Sequence, residues 1–380
     1  MRTPSRLKKG TVFQGPWQKV PFFAEQAFGS TSSDGGAGLT ERRRDVRTLP
    51  KAHLHLHFTG AMRHSTLLEL ADIHQIRLPE ALLRPGPPQL RATDERGWFR
   101  FQRLYDAARS VIRTPEDIHR LLAEAAEDER ADGSGWLEIQ VDPTSYAPRL
   151  GGLTQAVELI LATAADASAA TGVGIGLIIA ANRTRHPLDA RTLARLAGQY
   201  ATRGVVGFGL SNDERRGRPA DFDRAFAIAR RAGLAGVPHG GELAGPSSVR
   251  DCLDILSARR IGHGVRATED PALVQQIATA GVVLEVCPTS NVAMGVYDKA
   301  ADVPLPMLRA AGVQVALGAD DPLLFGDRVA AQYALVRDAF GSSDDELAAL
   351  ARESVRGSLA PGHVKVDLLA GVDAWLASDG

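Results

Sequence analysis

The sequence has few cysteines, no long apolar run and almost no net charge. Its 380 residues include two cysteines, Cys252 and Cys287, which are too few for a disulfide framework and predict a reducing compartment. No stretch of about 18 or more uncharged apolar residues occurs, so no membrane-spanning helix is predicted. The 44 basic and 45 acidic residues give a formal net charge of −1, which provides no field that recruits nucleic acid or an anionic membrane. We therefore expect a cytoplasmic globular protein that binds neither nucleic acid nor membranes.

The first 47 residues differ in composition from the rest of the chain. They mix Gly, Ser, Arg and Lys without periodicity, and residues 29–38 (GSTSSDGGAG) have the composition of a flexible linker. The basic first residues are not followed by the apolar segment of a secretory signal. We therefore predict a flexible, disordered tail over residues 1–47 and one folded domain over residues 48–380.

Short apolar segments alternate with helix-period segments throughout residues 48–380. Most of the apolar segments are continuous, as expected for strands that are buried on both faces of a parallel sheet. The predicted strands are 53–58, 136–141, 173–180, 205–210, 234–238, 260–264, 282–287 and 313–318. Strand followed by helix, repeated eight times, predicts a (β/α)8 TIM barrel of the α/β class. The long gap after the first strand predicts an extra helical insertion that covers the barrel mouth.

Histidines and carboxylates cluster where the predicted strands end. The first strand carries His53, His55 and His57, which point to one side because alternate residues of a strand share a face. Four later clusters follow strands five to eight: HGGE (239–242), GHG (262–264), CPTSN (287–291) and GADDP (318–322). Barrel enzymes assemble their active sites at the C-terminal ends of the strands. These five clusters therefore predict one active site at the mouth of the barrel.

Three imidazoles and one carboxylate among these clusters suit a divalent metal ion. The predicted ligands are His55, His57, His239 and Asp320. Zinc, one ion per chain, is the predicted metal because it prefers such nitrogen and oxygen donors. One further position would hold water, whose pKa a catalytic zinc lowers to about 7. Glu242 is placed to donate a proton, while His263 and Asp320 are placed to orient and deprotonate that water.

These motifs, in this order, resemble those of the adenosine deaminase family of the amidohydrolase superfamily. The similar segments are LPKAHLHLHFTGAMRHSTLLELA, HGGE, RIGHG, LEVCPTSN and GADDPLLF, within residues 49–340. The resemblance implies zinc-dependent hydrolytic deamination at C6 of adenosine or a related 6-aminopurine nucleoside, with release of ammonia. It also implies that Glu242 protonates ring N1, that His263 stabilises the attacking water and that Asp321 holds ring N7.

The sequence departs from the family pattern at positions that the resemblance implies bind the substrate. Thr59 stands where the family has a carboxylate that contacts the sugar. Asn212 stands where the family has a glycine whose amide meets the purine N3, and Gly209 replaces the aspartate that opens the same motif. None of these changes touches a predicted metal ligand or Glu242. We therefore expect the deamination chemistry to be retained and 5′-modified sugars to be tolerated.

Other substrates and other protein classes remain as alternatives. The segments VVGFGLSNDE and VPHGGE are also similar to aminodeoxyfutalosine deaminases, and adenine is a further alternative substrate. Binuclear amidohydrolases need a bridging lysine on the fourth strand, and residues 205–212 contain none. A barrel that only senses purines would need neither Glu242 nor an activated water. The sequence predicts no particular oligomeric state.

Overall fold

The computed structural model describes residues 43–84, 86–88, 90–91 and 94–378. Within these residues all eight predicted strands are confirmed, with ends that differ by a few residues from the prediction. The strands are β1 Lys51–His57, β2 Ser134–Val141, β3 Gly174–Asn182, β4 Val205–Ser211, β5 Ala235–Gly240, β6 Arg260–His263, β7 Val283–Val286 and β8 Val315–Leu317.

The strands form a parallel sheet in sequence order, from β1 to β8. The backbone just after β8 pairs with β1: the Asp320 amide donates to the His55 carbonyl over 3.0 Å, and the His57 amide donates to the Asp320 carbonyl over 2.9 Å. This pairing brings the last strand next to the first, and the predicted (β/α)8 TIM barrel is confirmed.

The helices begin at strong local signals. Helix α4, for example, has Thr114 and Asp117 in a reciprocal capping box and Pro115 in its first turn. The helices in the described residues are α1 His64–Ile73, α2 Glu80–Leu83, α3 Glu95–Ser110, α4 Pro115–Ala131, α5 Leu153–Thr171, α6 Pro187–Gln199, α7 Asp223–Arg231, α8 Pro246–Asp254, α9 Pro271–Ala280, α10 Pro288–Ala293, α11 Leu305–Ala310, α12 Pro322–Phe325, α13 Val329–Phe340, α14 Asp344–Gly357 and α15 Gly362–Ala377. Short 3-10 turns occupy Pro143–Ser145, Glu214–Arg216, Pro219–Phe222, Val265–Glu269 and Ala300–Asp302. No helix in the described ranges is both long and apolar enough to cross a bilayer.

The predicted helical insertion lies between β1 and β2 and contributes to the barrel mouth. Helix α3 begins where the Asp94 side chain accepts from the Gly97 amide over 2.6 Å. Trp98, Phe101 and Tyr105 lie about one turn apart on α3 and line the cavity at the mouth. These three side chains form an aromatic wall contributed by the insertion.

Charged side chains are buried inside the barrel below the mouth. Arg260, Glu138 and Glu285 lie on β6, β2 and β7, and their side chains are 0% exposed. The Arg260 guanidinium binds both carboxylates, at 2.6 Å from Nε to Glu285. An unpaired charge is costly to bury, so loss of any one of these three side chains would destabilise the folded protein. The set connects the barrel interior to the residues at its mouth.

The predicted tail of residues 1–47 lies outside the described residues up to position 42, whereas residues 43–47 pack against the barrel domain. The Arg44 guanidinium donates to the Leu376 carbonyl over 2.8 Å and to the Ser378 carbonyl over 2.6 Å. Val46 is buried, and the Trp375 indole donates to the Asp45 carbonyl over 3.3 Å. Arg44 and Asp45 therefore contact helix α15 and the residue after it, while Arg43 pairs with Asp338 on α13. The basic composition of this segment did not indicate these contacts.

Candidate active site

A cavity opens at the C-terminal ends of the strands, where the sequence predicts the active site. Its walls are rich in aromatic side chains: Phe58, Trp98, Phe101, Tyr105, Tyr146 and Phe325. Phe101 stacks on Phe325 with ring centroids 5.8 Å apart, which joins the insertion helix to the segment after β8. His57, His239, Glu242, His263, Asp320 and Asp321 also line the cavity. An apolar cleft with a few convergent polar groups is the typical form of a small-molecule site.

The structure brings the predicted metal ligands together. The ring centroids of His55, His57 and His239 lie 4.7 to 5.3 Å from one another. Asp320 Oδ1 lies 3.3 Å from His57 Nε2 and 3.7 Å from His55 Nε2. The His263 ring also belongs to this cluster. Ring nitrogens of His55, His239 and His263, one from each residue, lie within 4.8 Å of one another. Nitrogen and oxygen donors at such spacing form a candidate metal site.

The orientation of the His55 ring leaves one nitrogen available to a ligand. Its Nδ1 lies 2.8 Å from Glu285 Oε2, and the Glu285 carboxylate is held in turn by Arg260. Its Nε2 is buried and has no hydrogen-bond partner among the described residues. A metal ligand of this kind typically donates its second ring N–H to a carboxylate. The residues present therefore fit a bound divalent ion, and sequence reasoning missed both Glu285 and Arg260.

Asp320 occupies an unusual backbone conformation beside the histidines. Its φ of 62° lies in the left-handed region, which costs a residue with a side chain about 1 to 3 kcal/mol. The Ser290 hydroxyl donates to its Oδ2 over 2.5 Å. Burial opposes ionisation, but the hydrogen bond to His57 and the neighbouring imidazoles hold the pKa of Asp320 well below its usual range. Asp320 is therefore an anion that faces the histidine cluster.

Glu242 and His263 face each other across the cavity, with Glu242 Oε2 3.6 Å from His263 Nε2. Burial, together with the charges of Asp320 and Glu214, raises the pKa of Glu242 well above its usual range. Burial also lowers the pKa of His263 to about 3. A carboxyl group with a raised pKa beside an imidazole with a lowered pKa suits general acid–base chemistry.

Asp321 lines the same cavity next to Asp320. Burial raises the pKa of Asp321 well above its usual range, and its Oδ1 has no hydrogen-bond partner among the described residues. Gly60 permits this position, because a Cβ atom at residue 60 would lie 1.9 Å from Asp321 Oδ1. Asp321 is thus a carboxyl group with an unused polar atom in the site.

The other three residues predicted to bind substrate, Asn212, Gly209 and Thr59, differ in their position relative to the cavity. Asn212 lines the cavity with a φ of 80°, a conformation that asparagine tolerates better than most residues, which explains how it can replace glycine there. Gly209 lies within β4, against Ala180 and the Val237 carbonyl. Thr59 is fully buried, and its hydroxyl lies 2.6 Å from the hydroxyl of Tyr146, which does line the cavity. Among these three residues, the described cavity is lined only by Asn212.

Sequence reasoning also missed a residue that anchors the loop after β5. Glu214 lies beyond β4, and its Oε2 accepts hydrogen bonds from the amides of Glu242, Leu243 and Ala244 over 2.7 to 2.9 Å. The only sequence signal is the acidic pair in SNDE, and this pair does not reveal which loop it binds. Glu214 therefore fixes the backbone that carries Glu242.

A TIM barrel with imidazoles and carboxylates gathered at its C-terminal mouth defines a class of hydrolases that activate water with a metal ion. The family model described as adenosine deaminase matches residues 50–375. The chain belongs to the adenosine deaminase family, whose members are hydrolases of C–N bonds in cyclic amidines, and this confirms the resemblance seen in the sequence.

Individual relatives agree with this family. The chain is 68% identical over 342 residues to a Streptomyces coelicolor protein named as a candidate adenosine/adenine deaminase, covering 89% of this chain and 100% of that protein. It is 35% identical over 356 residues to an adenine deaminase of Sphingopyxis alaskensis, covering 90% and 99%. The crystal structure of an adenine deaminase from Arthrobacter aurescens superposes with a TM-score of 0.78 at 31% identity, covering 87% and 99%. The predicted deaminase class is therefore confirmed.

Proposed function

We propose that this chain removes the 6-amino group of a purine by hydrolysis and prefers adenine to adenosine. The observation that carries the proposal is the convergence of Glu242, His263 and Asp320 on the buried histidine cluster. The proposed zinc ligands are those predicted from the sequence: His55, His57, His239 and Asp320. A bound zinc ion would lower the pKa of a water molecule at the site. The reaction would take place in the cytoplasm, in keeping with two buried cysteines that are free.

Glu242 acts as the general acid. Its buried carboxyl group keeps its proton at neutral pH and donates it to ring N1 of the purine. Protonation of N1 withdraws electrons from C6, so that C6 becomes open to attack by water. Glu214 holds the backbone of this residue, which keeps the carboxyl group directed into the cavity.

His263 and Asp320 act on the attacking water. The imidazole of His263 is neutral at the pH of the cell and accepts a hydrogen bond from the water. The ionised Asp320 provides a second acceptor and takes the proton as the C–O bond forms. That proton then passes to the amino group, which leaves as ammonia. The second proton of the attacking water returns to Glu242 as C6 becomes a carbonyl carbon, which restores the acid.

Asp321 orients the purine ring. Its carboxyl group retains a proton at neutral pH and donates a hydrogen bond to N7, which can only accept. The absence of a side chain at Gly60 leaves room for this carboxyl group. Asn212 also lines the cavity and would contact the N3 side of the ring.

The preference for the free base is supported by the surroundings of Thr59. This residue replaces the carboxylate that contacts the sugar in the family, and its hydroxyl is directed to Tyr146 rather than into the cavity. A ribose hydroxyl would therefore lack the charged acceptor that the family provides. A hydrogen bond to a charged acceptor is about twice as strong as one to a neutral acceptor. Relatives from Sphingopyxis and Arthrobacter named as adenine deaminases support the same choice.

Adenosine is the second candidate substrate. The cavity opens at the barrel mouth, and the Streptomyces coelicolor relative carries both substrates in its name. Both candidates use the same acid, water-binding and ring-binding residues. They differ only in what occupies the outer part of the cavity.

A spectrophotometric deamination screen tests the proposal. The zinc-loaded protein is assayed with adenine, adenosine, deoxyadenosine and aminodeoxyfutalosine. We expect kcat/KM for adenine to exceed that for adenosine by about tenfold or more, which corresponds to about 1.4 kcal/mol. Equal values, or faster turnover of either nucleoside, would overturn the preference for the base. Absence of turnover on all four purines would overturn the proposed function itself.

Thr59 can be tested in the same assay. Thr59→Val removes the hydroxyl and Thr59→Ser keeps it, so the two variants differ in the bond to Tyr146. Because Thr59 does not line the cavity, we expect both variants to keep the ratio of adenine to adenosine kcat/KM within a factor of about three, well below the energy of one hydrogen bond to a charged group. A selective loss of adenosine turnover in Thr59→Val would show that this hydroxyl binds the sugar.

A further inference from the structure

His53 shares the motif of His55 and His57 but does not take part in the histidine cluster. Its ring is 1% exposed, and its Nδ1 lies 2.7 Å from Glu129 Oε1 on helix α4. Its Nε2 lies 3.0 Å from the backbone nitrogen of Ala319, just after β8. His53 therefore links helix α4 to the segment that carries Asp320.

The protonation of the His53 ring follows from its partners. A backbone amide always carries its hydrogen, so the Ala319 N–H donates and Nε2 accepts. The proton of a neutral ring then resides on Nδ1, which donates to the Glu129 carboxylate. Nε2 also lies 3.0 Å from the His55 carbonyl, which accepts its hydrogen bond from the Asp320 amide. Two consecutive amides, those of Ala319 and Asp320, are thus held by β1.

The hydrogen bonds to the Ala319 and Asp320 amides hold the backbone at the position where Asp320 adopts its strained conformation. The left-handed φ of 62° at Asp320 turns the chain directly after Ala319. The turn directs the carboxylate toward His57 and Ser290. Without the acceptor on His53, the Ala319 amide would be buried without its partner, and relaxation of this segment would move the Asp320 side chain.

We infer that His53 and Glu129 are positioning residues of the metal site, which hold the Asp320 carboxylate in place through the Ala319 amide. The inference rests on the proposed function, because Asp320 is a zinc ligand only in that proposal. Glu129 is 3% exposed and comes from α4, the helix that precedes β2, so this helix would contribute to the metal site.

Competition with a chelator tests the inference, because it measures both the zinc affinity of the protein and the rate at which the holoenzyme releases zinc. His53→Leu removes both ring nitrogens, whereas His53→Gln offers a carbonyl oxygen to the Ala319 amide. We expect His53→Leu to weaken zinc affinity by about 10- to 100-fold, the usual effect of losing a partner of a metal ligand, and His53→Gln to restore most of it. Equal zinc affinity in His53→Leu and the wild type would overturn the inference.

A second pair of variants covers the case in which His53→Leu does not fold. Glu129→Gln keeps an oxygen that accepts from His53 Nδ1, and Glu129→Leu does not. We expect only Glu129→Leu to lose zinc faster than the wild type. If both variants lower the melting temperature of the zinc-free protein but release zinc at the wild-type rate, the pair has a structural role only and the inference is wrong.

Asp320→Asn separates this inference from the proposed function. If Asp320→Asn holds zinc as tightly as the wild type, the proposed metal site is wrong. If Asp320→Asn loses zinc while His53→Leu and Glu129→Leu retain it, the metal site stands and only the positioning role is wrong.

Discussion

The carboxylate of Glu214 accepts a hydrogen bond of 2.9 Å from the backbone amide of Glu242. The same oxygen accepts from the next two amides, and the other oxygen accepts from the Ser248 hydroxyl over 3.1 Å. One buried carboxylate from the loop after β4 therefore organises the loop after β5. The orientation of the proposed general acid depends on a residue that does not touch the substrate.

Glu214→Ala should lower kcat by about 100-fold, because a displacement of about 1 Å in a catalytic group has an effect of that size. Glu214→Gln retains a carbonyl oxygen and should lose less. Zinc content, measured by elemental analysis, should be that of the wild type in both variants. Wild-type kcat in Glu214→Ala would show that the loop holds its position without this carboxylate.

Glu242→Gln should bind zinc normally and lose about 10² to 10⁴ in kcat, since the amide keeps the shape of the side chain but cannot act as the acid. The raised pKa of Glu242 means that wild-type activity is present while the carboxyl group is protonated and falls as pH rises through that pKa. The variant should show no such decline. Retention of more than about a tenth of wild-type kcat would exclude Glu242 as the acid.

His239→Ala should lose both zinc and turnover while the barrel remains folded, because one of the proposed ligands is removed. His363→Ala is the matched control, since this histidine is exposed at the start of α15. Elemental analysis and circular dichroism would be compared for the two proteins. A full complement of zinc in His239→Ala would contradict the assignment.

Lys51 predicts a pH dependence of stability that is independent of the active site. Burial lowers its pKa to about 8, although it donates to the Val46 carbonyl over 3.0 Å. Between about 8 and its ordinary 10.5, the unfolded chain binds more protons than the folded one, so this residue makes the free energy of unfolding rise with pH.

Lys51→Met removes that contribution. The difference in unfolding free energy between wild type and variant should shift in favour of the wild type by up to about 3 kcal/mol between pH 7 and pH 10.5. Urea unfolding at several pH values measures it. A difference that does not vary with pH would show that Lys51 titrates normally.

Two N-terminal truncations test the contact of residues 43–47 with α15. A chain that begins at Thr48 lacks the Arg44 and Val46 contacts, whereas a chain that begins at Arg43 retains them. We expect the shorter chain to melt at a lower temperature, since burial of one valine contributes about 1.5 kcal/mol or more. Equal melting temperatures would show that these contacts add no stability.

The barrel could be predicted because its signal is repeated eight times along the chain. The candidate ligands could be predicted because His55, His57, His239 and Asp320 all come at the ends of strands, which meet at one mouth. Their partners could not be predicted in this way. Glu285, for example, is recognisable as a charge within an apolar strand, but its bond to His55 depends on the register of strands that are far apart in the sequence.

The substrate residues show the same limit. Thr59 was assigned by its position in a motif, yet the direction of its hydroxyl is determined by Tyr146, which follows β2. Likewise, the alternation of the motif places His53 on the same strand face as His55 and His57, while its partners in the structure are Glu129 and Ala319. A strand pattern predicts which face a side chain occupies, and its contacts at that face come from elsewhere in the chain.

The closure of the barrel between its ends has a consequence for biosynthesis. His53 and Ala319 are 266 positions apart in the sequence. The carboxylate of Asp320, just after β8, reaches its position only when the last strand meets the first. A nascent chain that is still attached to the ribosome and lacks β8 has the two proposed ligands of β1, His55 and His57, but not Asp320. Contacts of such long range form late in folding. The proposed four-ligand site therefore forms only after β8 and Asp320 have been translated, and a shorter nascent chain lacks the carboxylate of that site.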